Sequence, residues 1–434
     1  MNSSILLAAV TAVGARLTSL VLNLVGLPIA LASLGQKGFG LFLMLGGFAA
    51  VASVANLGLA RVVALHTARR STSSMVFVGE IFRMTAVTAT AMGAAVFAVL
   101  AGLALALPWD RIIGGFDPAL RTDFLTAAVL LALIMGLWVA LAPFEGLAAG
   151  LHRLTRLNLF RSVGFLINLL GIVFVLPRVP TLTTCVLLFS SGIVLGDLLH
   201  AVFLIWNRRD IAFGRIRLRR RVVRSIYRDA LSGLLFSIGF AGLFQFSTAL
   251  LGMLGGPAEA VLYGITMRLL MNALSAVQGY YNAVWPAVTA GLKDEAGRPR
   301  ALALIRQSIG AALVMGIAGA TVVVIFGQIL LRAWMGGDLG FDLPARLAAG
   351  LLCFAVVLEL ALKSSLLAFG LLRYSAYVTV VEAIVFLAAA TFVMPRYGEL
   401  GALSLLCVMH LGLAVPLQGL RLVGGIRLLA ARRG

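Results

Sequence analysis

The sequence predicts an all-α integral membrane protein with about twelve transmembrane helices in two six-helix lobes. Of its 434 residues, 61% are hydrophobic and only 12% are charged, which is about half the share of charge in soluble domains. Twelve apolar segments reach the length of about 20 residues that a membrane-spanning helix needs. An arginine-rich stretch divides these segments almost equally, so the chain is expected to consist of two halves.

The arginine-rich stretch, residues 207–229, holds nine arginines that only Asp210 and Asp229 oppose. Nine arginines at the centre of a bilayer would cost roughly 20–30 kcal/mol, so this stretch must lie outside the hydrocarbon. The positive-inside rule places it in the cytoplasm. It is either a topology determinant alone or also an amphipathic helix on anionic lipid headgroups. We therefore expect an N-terminal lobe (1–206), a cytoplasmic linker (207–229) and a C-terminal lobe (230–434).

The predicted spans are all apolar and are separated by short charged or proline-containing connections. They lie at residues 11–34, 39–65, 84–107, 123–148, 157–176, 182–206, 230–254, 260–289, 303–330, 347–370, 374–394 and 399–420. Of the 35 lysines and arginines, 24 fall in connections on the same side as the arginine-rich stretch and seven on the other side. This alternation supports twelve spans with both termini in the cytoplasm.

Composition also excludes several classes of protein. The net charge of +19 resides in loops between spans, so no basic folded domain is available to bind nucleic acid. The three cysteines fall inside apolar segments, and the four histidines show no metal-binding spacing, so neither disulfides nor a metal site is expected. A membrane glycan polymerase or ligase would need a substantial outer loop, and the connections between the predicted spans of this chain are short. Catalytic residues and cofactors are therefore not expected either.

Cationic side chains within the predicted spans are candidates for substrate binding, because such residues face protein or water rather than lipid. Arg16 lies in the first span, on one helical face with Ser19 and Asn23. Arg268 lies in the eighth span, one turn before Asn272. These residues predict a water-filled cavity for a phosphate-bearing substrate, since arginine pairs with phosphate in a bidentate manner. Arg16 has an alternative role, which is to extend to the cytoplasmic interface.

Two further cations have alternative interpretations. Arg61 closes the second span and could line the same cavity, although both Arg61 and Arg161 are expected to extend to the nearby interface. Lys363 is a second cavity candidate, but Glu359 lies one turn before it in the tenth span. The two are therefore expected to form an internal ion pair.

Acidic side chains within spans are candidates for ion coupling. Asp197 lies in the sixth span, Glu359 in the tenth and Glu382 in the eleventh. Each could bind a coupling ion or could pair with a nearby cation, and the sequence leaves both roles open.

A faint internal repeat suggests how the two lobes are related. A Leu-Gly pair and an aromatic-Gly pair open the second span at residues 34–41, and a similar pattern opens the eighth span at residues 254–264. Repeats of parallel sense are related by a pseudo-two-fold axis normal to the membrane. The sequence therefore predicts this relation between the lobes.

Two stretches carry a resemblance to a known family. They are SLGQKGFGLFLMLGGFAAVASVANLGLARVVA at residues 33–64 and LGMLGGPAEAVLYGITMRLL at residues 251–270. With these stretches and twelve spans, the chain resembles the polysaccharide (Wzx-type) flippases of the multidrug/oligosaccharidyl-lipid/polysaccharide (MOP) exporter superfamily. Many members carry an acidic residue in the seventh span, where this chain has Gln245.

The resemblance implies a V-shaped pair of lobes around a central cavity in a bacterial inner membrane protein. It implies that a polyprenyl-diphosphate-linked oligosaccharide of O-antigen, capsule or exopolysaccharide is moved to the outer leaflet. It also implies cavity cations in the first and eighth spans, where Arg16 and Arg268 lie. A monomer is expected, with the lipid-linked glycan, the bilayer and a polysaccharide polymerase or export machinery as partners. The alternative is an ion-coupled multidrug exporter of the MATE type, although an arginine-lined cavity would repel cationic drugs.

Overall fold

The computed structural model describes residues 3–70, 75–151, 153–207, 238–293 and 295–431. The regular structure of these residues is entirely helical, and no strand occurs among them. The prediction of an all-α protein is confirmed. Residues 208–229 of the arginine-rich stretch lie outside the described residues, so the cytoplasmic linker stays a prediction.

The chain forms two compact units, Met1–Ser237 and Ile238–Gly434. In the first unit the helices are α1 (Ser3–Arg70), α2 (Met75–Ala106), α3 (Trp109–Ile112), α4 (Arg121–Gly150), α5 (Leu154–Phe174) and α6 (Leu182–Asn207), with a 3-10 turn at Pro118–Leu120.

In the second unit a bent pair of short helices comes first and is followed by long helices. They are α7 (Ile238–Phe244), α8 (Phe246–Gly255), α9 (Glu259–Lys293), α10 (Arg298–Met335), α11 (Leu343–Ala368), α12 (Leu372–Val408), a π-helical segment (Met409–Ala414) and α13 (Val415–Ala431).

Two glycines separate predicted spans that lie within one continuous helical stretch. Gly35 interrupts α1 with a φ of 66°, between the first and second predicted spans. Gly398 interrupts α12 with a φ of 53°, between the eleventh and twelfth. An L-residue with a side chain rarely adopts these positive φ angles, so glycine permits the sharp change of direction at both positions.

Eight described helical stretches are long and apolar enough to cross a membrane, or nine if α7 and α8 form one bent span. The number is lower than twelve partly because α1 and residues 373–427 each contain two predicted spans. With 35 residues, α9 is long enough for a span but is not among these stretches. The described parts of the twelve predicted spans are almost entirely helical, and the protein crosses the membrane many times.

Each unit has its own packed core. In the first unit, Val63, Phe82 and Leu147 from α1, α2 and α4 pack together, and the Phe82 ring meets Phe144 edge-on at 5.1 Å. In the second unit a separate apolar cluster joins α9, α10, α11 and α13 around the fully buried Leu366. Since lipid is as apolar as these side chains, close packing rather than exclusion of water holds such helices together.

The beginning of α6 is fixed by a carboxylate from another helix. Oδ2 of Asp123, in the first turn of α4, accepts a hydrogen bond from the backbone N–H of Leu182 at 2.6 Å. Oδ1 accepts from both the N–H and the hydroxyl of Thr183, at 3.0 and 2.6 Å. The first N–H groups of a helix have no partner within it, so Asp123 acts as an N-cap for α6 and ties it to α4.

Replacing Asp123 with alanine should therefore lower the melting temperature of the purified protein in detergent. Two backbone donors at the start of α6 would lose their acceptor, which costs about 1–3 kcal/mol. The exposed Asp110→Ala variant is the matched control, because its side chain caps no second helix in the described structure. An equal decrease in both variants would contradict the proposed tie between α4 and α6.

Candidate functional site

The cations predicted to bind substrate lie at different places in the two units. Arg16 is exposed on α1, and Arg268 is half-buried on α9. Nδ2 of Asn23 donates to the carbonyl of Ser19 in its own helix at 2.9 Å, and Asn272 is half-buried one turn after Arg268. The side chain of Arg61 lies outside the described residues. The structure therefore shows neither a shared site for these residues nor evidence against one.

The helical rise gives the depth of Arg268. It lies nine residues after Glu259, where α9 begins, and 25 residues before Lys293, where α9 ends. At 1.5 Å per residue it lies about 14 Å from the N-terminal end of the helix, a distance similar to half the thickness of the hydrocarbon core. A partly exposed guanidinium at this depth must contact protein, water or substrate, because lipid would not solvate it.

Lys363, in contrast, belongs to a buried polar cluster within the second unit. Its ammonium lies 2.7 Å from Oε1 of Glu359, one turn earlier in α11, so the ion pair expected from the sequence is present. Nε2 of Gln418, from α13, donates to the same oxygen at 2.9 Å. Glu359 and Gln418 are almost completely buried, and 13% of the Lys363 side chain is exposed.

His410 extends this cluster to a second carboxylate. Its Nδ1 lies 2.6 Å from Oε2 of Glu359 and 2.7 Å from Oε1 of Glu382, which α12 contributes. The side chains of His410 and Glu382 are both 0% exposed. Three helical elements, α11, α12 and the π-helical segment, thus bring two carboxylates and an imidazole together inside the second unit.

The local backbone explains why His410 can take this position. It is the second residue of the π-helical segment Met409–Ala414. A π turn inserts one extra residue into a helix and rotates the side chains around it, and such turns are frequent at functional sites. The ring of Phe244 from α7 stacks on the imidazole with 5.2 Å between centroids and 17° between planes. The imidazole is therefore held between an aromatic face and two carboxylates.

Glu382 is the least compensated member of the cluster. No described residue donates to either of its oxygens in hydrogen-bond geometry, although Nδ1 of His410 is within 2.7 Å. A single N–H that lies between two carboxylates cannot point directly at both. With a neutral His410, two carboxylates and one ammonium leave the cluster with a net charge of −1. A buried unbalanced charge costs several kcal/mol, so this arrangement favours one additional positive charge.

The first unit contains a separate ionic cluster. Nε and Nη2 of Arg161, on α5, donate to the two carboxylate oxygens of Asp197, on α6, at 2.5 and 2.9 Å. Nη2 also donates to Glu145 of α4 at 2.8 Å. Asp197 is buried, and about a third of the Glu145 side chain is exposed. The expectation that Arg161 extends to the interface is wrong, because two acids from adjacent helices hold it inside the unit.

Close contact between α5 and α6 brings Arg161 and Asp197 together. A Cβ at Gly164 would lie 2.1 Å from the carbonyl oxygen of Gly192, and one at Gly196 would lie 2.5 Å from the Cα of Arg161. Small residues at such crossings let helix backbones approach each other closely. Because Asp197 follows Gly196 directly, the crossing places its carboxylate beside the Arg161 guanidinium.

Three of the four acids in the two clusters, Asp197, Glu359 and Glu382, were predicted as candidates from the sequence. His410 and Gln418 were not predicted, because the histidines show no metal-binding spacing and Gln418 lies in no motif. The signal that could have identified His410 is its position in the middle of a predicted span, where a polar side chain requires a partner.

No family model and no curated protein matches this sequence. Solved structures do match it over almost their whole length. One is a multidrug resistance MATE family transporter of the MOP superfamily in an inward-facing conformation, with 15% identity over 96% of this chain and 98% of the other, and a TM-score of 0.79. A multidrug resistance MATE family transporter of this superfamily in an outward-facing conformation matches with 15% identity, 99% and 96% coverage, and a TM-score of 0.65.

A further match is a MOP superfamily transporter from Pyrococcus furiosus, for which reverse polarity of the binding pocket is said to suggest a different function. It shares 14% identity over 99% of this chain and 96% of the other, with a TM-score of 0.68. At such low identity these likenesses establish the fold alone. The chain therefore has the fold of MOP superfamily transporters, and the structural matches do not select the polysaccharide branch.

The close crossing of α5 and α6 predicts a strong effect of a single methyl group. Gly164→Ala should lower the melting temperature in detergent, because its Cβ would collide with the backbone of Gly192. Gly102→Ala on α2 is the matched control, since nothing lies within 4 Å of its added Cβ. Equal melting temperatures for these two variants would show that the crossing tolerates separation.

The two acids around Arg161 should contribute unequally to stability. Asp197→Asn removes a buried, bidentate partner and is expected to destabilise the protein by about 3–5 kcal/mol. Glu145→Gln removes a partly exposed partner and should cost about 1 kcal/mol or less. Chemical or thermal unfolding of both purified variants would compare them, and a reversed order would refute this assignment of roles.

Proposed function

We propose that this protein is a flippase that moves a polyprenyl-diphosphate-linked oligosaccharide from the cytoplasmic to the outer leaflet of a bacterial inner membrane by alternating access. The observation that carries the proposal is Arg268, a half-buried guanidinium about 14 Å along the long helix α9, in the segment that the sequence predicts as the eighth span. Intramembrane cations commonly mark substrate pathways, and a diphosphate is a ligand that a guanidinium can bind through two parallel hydrogen bonds.

Further support comes from Arg16, which is exposed on α1 of the other unit, within the first predicted span. Both arginines can present planar, bidentate donors that match phosphate oxygens. Under this proposal the arginines bind the diphosphate at some stage of the cycle, the sugars remain in water and the polyprenyl tail remains in lipid. Asn23, Asn272 and Arg61 remain candidates for further contacts with the substrate.

A cation gradient is the proposed energy source. The cluster of Glu359, Glu382 and His410 is the better candidate for ion coupling, because its two carboxylates have one lysine, Lys363, and an imidazole that can gain a proton as their basic partners. Asp197 is the weaker candidate, since Arg161 already neutralises it through two hydrogen bonds. Lys363 is reassigned from substrate binding to this cluster, because its ammonium contacts Glu359.

The proposal predicts the behaviour of Arg268 variants in a native host from which the gene has been deleted. The variant Arg268→Gln should lose roughly 10–100-fold of glycan export, which corresponds to about 1.5–3 kcal/mol for a charge-assisted hydrogen bond. Arg268→Lys should retain an intermediate rate, because it keeps the charge and loses the bidentate geometry. The measurement is lipid-linked glycan on each face of the inner membrane, with protein abundance determined in parallel.

Arg300→Gln is the matched control, since it removes the same charge from an exposed position in the first turn of α10. Normal export by the Arg16→Gln/Arg268→Gln double variant would remove the arginines from the proposed mechanism. Normal export in the deletion strain would reject the flippase itself, unless a second flippase replaces it.

Multidrug export is the second candidate function, because two of the similar structures are multidrug resistance transporters. The exposed guanidinium of Arg16 disfavours it for cationic drugs, which would be repelled. Expression in a drug-susceptible host separates the candidates: efflux that confers resistance would support the multidrug function, and unchanged susceptibility would favour the flippase.

A further inference from the structure

The ionic cluster of the second unit has a geometry that assigns a role to His410, which no sequence motif marks. This role rests on the proposed function, since His410 would bind the ion that drives transport.

When Glu359 and Glu382 are both ionised, the surroundings of His410 determine which ring nitrogen carries the hydrogen of the neutral ring. Nδ1 lies 2.6 Å from an oxygen of Glu359 and 2.7 Å from an oxygen of Glu382. A nitrogen lone pair at these distances would be repelled by both carboxylates, so Nδ1 must be the protonated nitrogen. Nε2 therefore holds the lone pair that can accept a further proton. It is buried, and no described residue forms a hydrogen bond with it.

The same contacts argue against a metal ion as the ligand. The donor atoms of Glu359, Glu382 and His410 lie within 4.8 Å of one another, which could suit a cation. Lys363 and Gln418, however, already use one oxygen of Glu359, and His410 lies against the other. Since Nδ1 bears a hydrogen, it cannot at the same time coordinate a metal. A proton on the imidazole requires none of these contacts to break.

The charges in the cluster determine how many protons it takes. Glu359 and Glu382 carry two negative charges, and Lys363 carries one positive charge at 2.7 Å from Glu359. One proton on His410 makes the cluster neutral, and a second would leave it positive in a buried site. The ring of Phe244, stacked on the imidazole, adds a cation–π attraction for the protonated state. With the charge of Lys363 counted, the cluster therefore takes one exchangeable proton.

The side chains around His410 come from several helices. Among the described residues, Glu359 and Glu382 face it from α11 and α12, and the uncharged ring of Phe244 faces it from α7. Gln418 from α13 is neutral and contacts Glu359. Cys407 lies in the preceding turn, where its thiol donates to the carbonyl of Ala348 at 3.2 Å.

We propose that His410 binds the coupling proton, one per transport cycle, and that Lys363 sets this number. A proton from water binds the Nε2 lone pair to form an imidazolium, and it leaves from the same atom to water on the opposite side. The His410 side chain is 0% exposed, so the helices must move before the proton can exchange. A site that is closed in this way ties proton exchange to conformational change.

The first test needs no substrate. Full-length protein labelled with ¹⁵N-histidine contains four histidines, and the His410→Gln variant identifies the signal of His410 by its loss. We expect the His410 signal to change from imidazolium to a neutral ring with hydrogen on Nδ1 over the pH range in which the protein is folded, and to be unaffected by sodium chloride. A ring that never protonates, or a titration that Na⁺ displaces, would overturn the proposal.

The second test measures export in inverted membrane vesicles, driven by an imposed pH gradient or by an imposed Na⁺ gradient. His410→Gln should lose the export that depends on the pH gradient, and the control His200→Gln, a buried histidine of the first unit, should retain it. Export driven by the Na⁺ gradient, or retained by His410→Gln, would count against His410. If NMR shows the protonation but no variant or wild-type vesicle exports glycan, the flippase function fails and the proton site stands.

A charge-balanced pair of variants tests Lys363. Lys363→Met leaves the cluster with an additional negative charge, so it should retain its proton and lose turnover. Glu359→Gln/Lys363→Met restores the charge of the wild-type cluster and should recover proton-driven export relative to Lys363→Met. Abundance and gel-filtration profiles of both variants show whether they fold. A folded double variant that exports no better than the single variant would remove the role assigned to Lys363.

Discussion

A charge inside a membrane domain has to be balanced within a few ångströms, because neither lipid nor a packed helix bundle can solvate it. This constraint explains the polar interior of both units. In the second unit, Glu359 accepts from Lys363 and Gln418, and the imidazole of His410 lies 2.7 Å from Glu382. The position of α11 relative to α12 and α13 therefore depends on a few short polar contacts.

The two units meet this constraint with different chemistry. In each unit the last three predicted spans supply one ionic cluster. The first unit places a guanidinium at its centre, which keeps its charge at every pH and holds Asp197 and Glu145 permanently. The second unit places an imidazole at its centre, which can gain and lose a proton. The described residues thus contain one ionic cluster centred on a fixed charge and one centred on a group that can change its charge.

Much of the fold could be predicted from the sequence because its signals are local. Segments of about 20 apolar residues identify spans independently of their neighbours, and the arginines between them define sidedness. The Glu359–Lys363 pair could also be predicted, since residues four apart lie on one face of a helix. Arg61 and the arginine-rich stretch, by contrast, remain expectations for which the described residues give no side-chain contacts.

The remaining part of the site depends on distant contacts that no local pattern encodes. Arg161 looked like an interfacial residue because it lies near a helix end, and only the close crossing at Gly164 reveals that Asp197 is within reach. The position of His410 similarly depends on a π-helical segment, which sequence periodicity does not predict.

A regular α-helix at residues 409–414 would place the side chains of this segment about one position differently around the helix axis. His410 would then no longer lie between Glu359 and Glu382, and the buried Glu382 would lose the imidazole beside it. The π turn and the polar contacts of His410 therefore depend on each other. This reciprocal dependence makes the segment a suitable place to couple proton binding to helix movement, because a change in charge at the imidazole alters the stability of the backbone conformation that holds it.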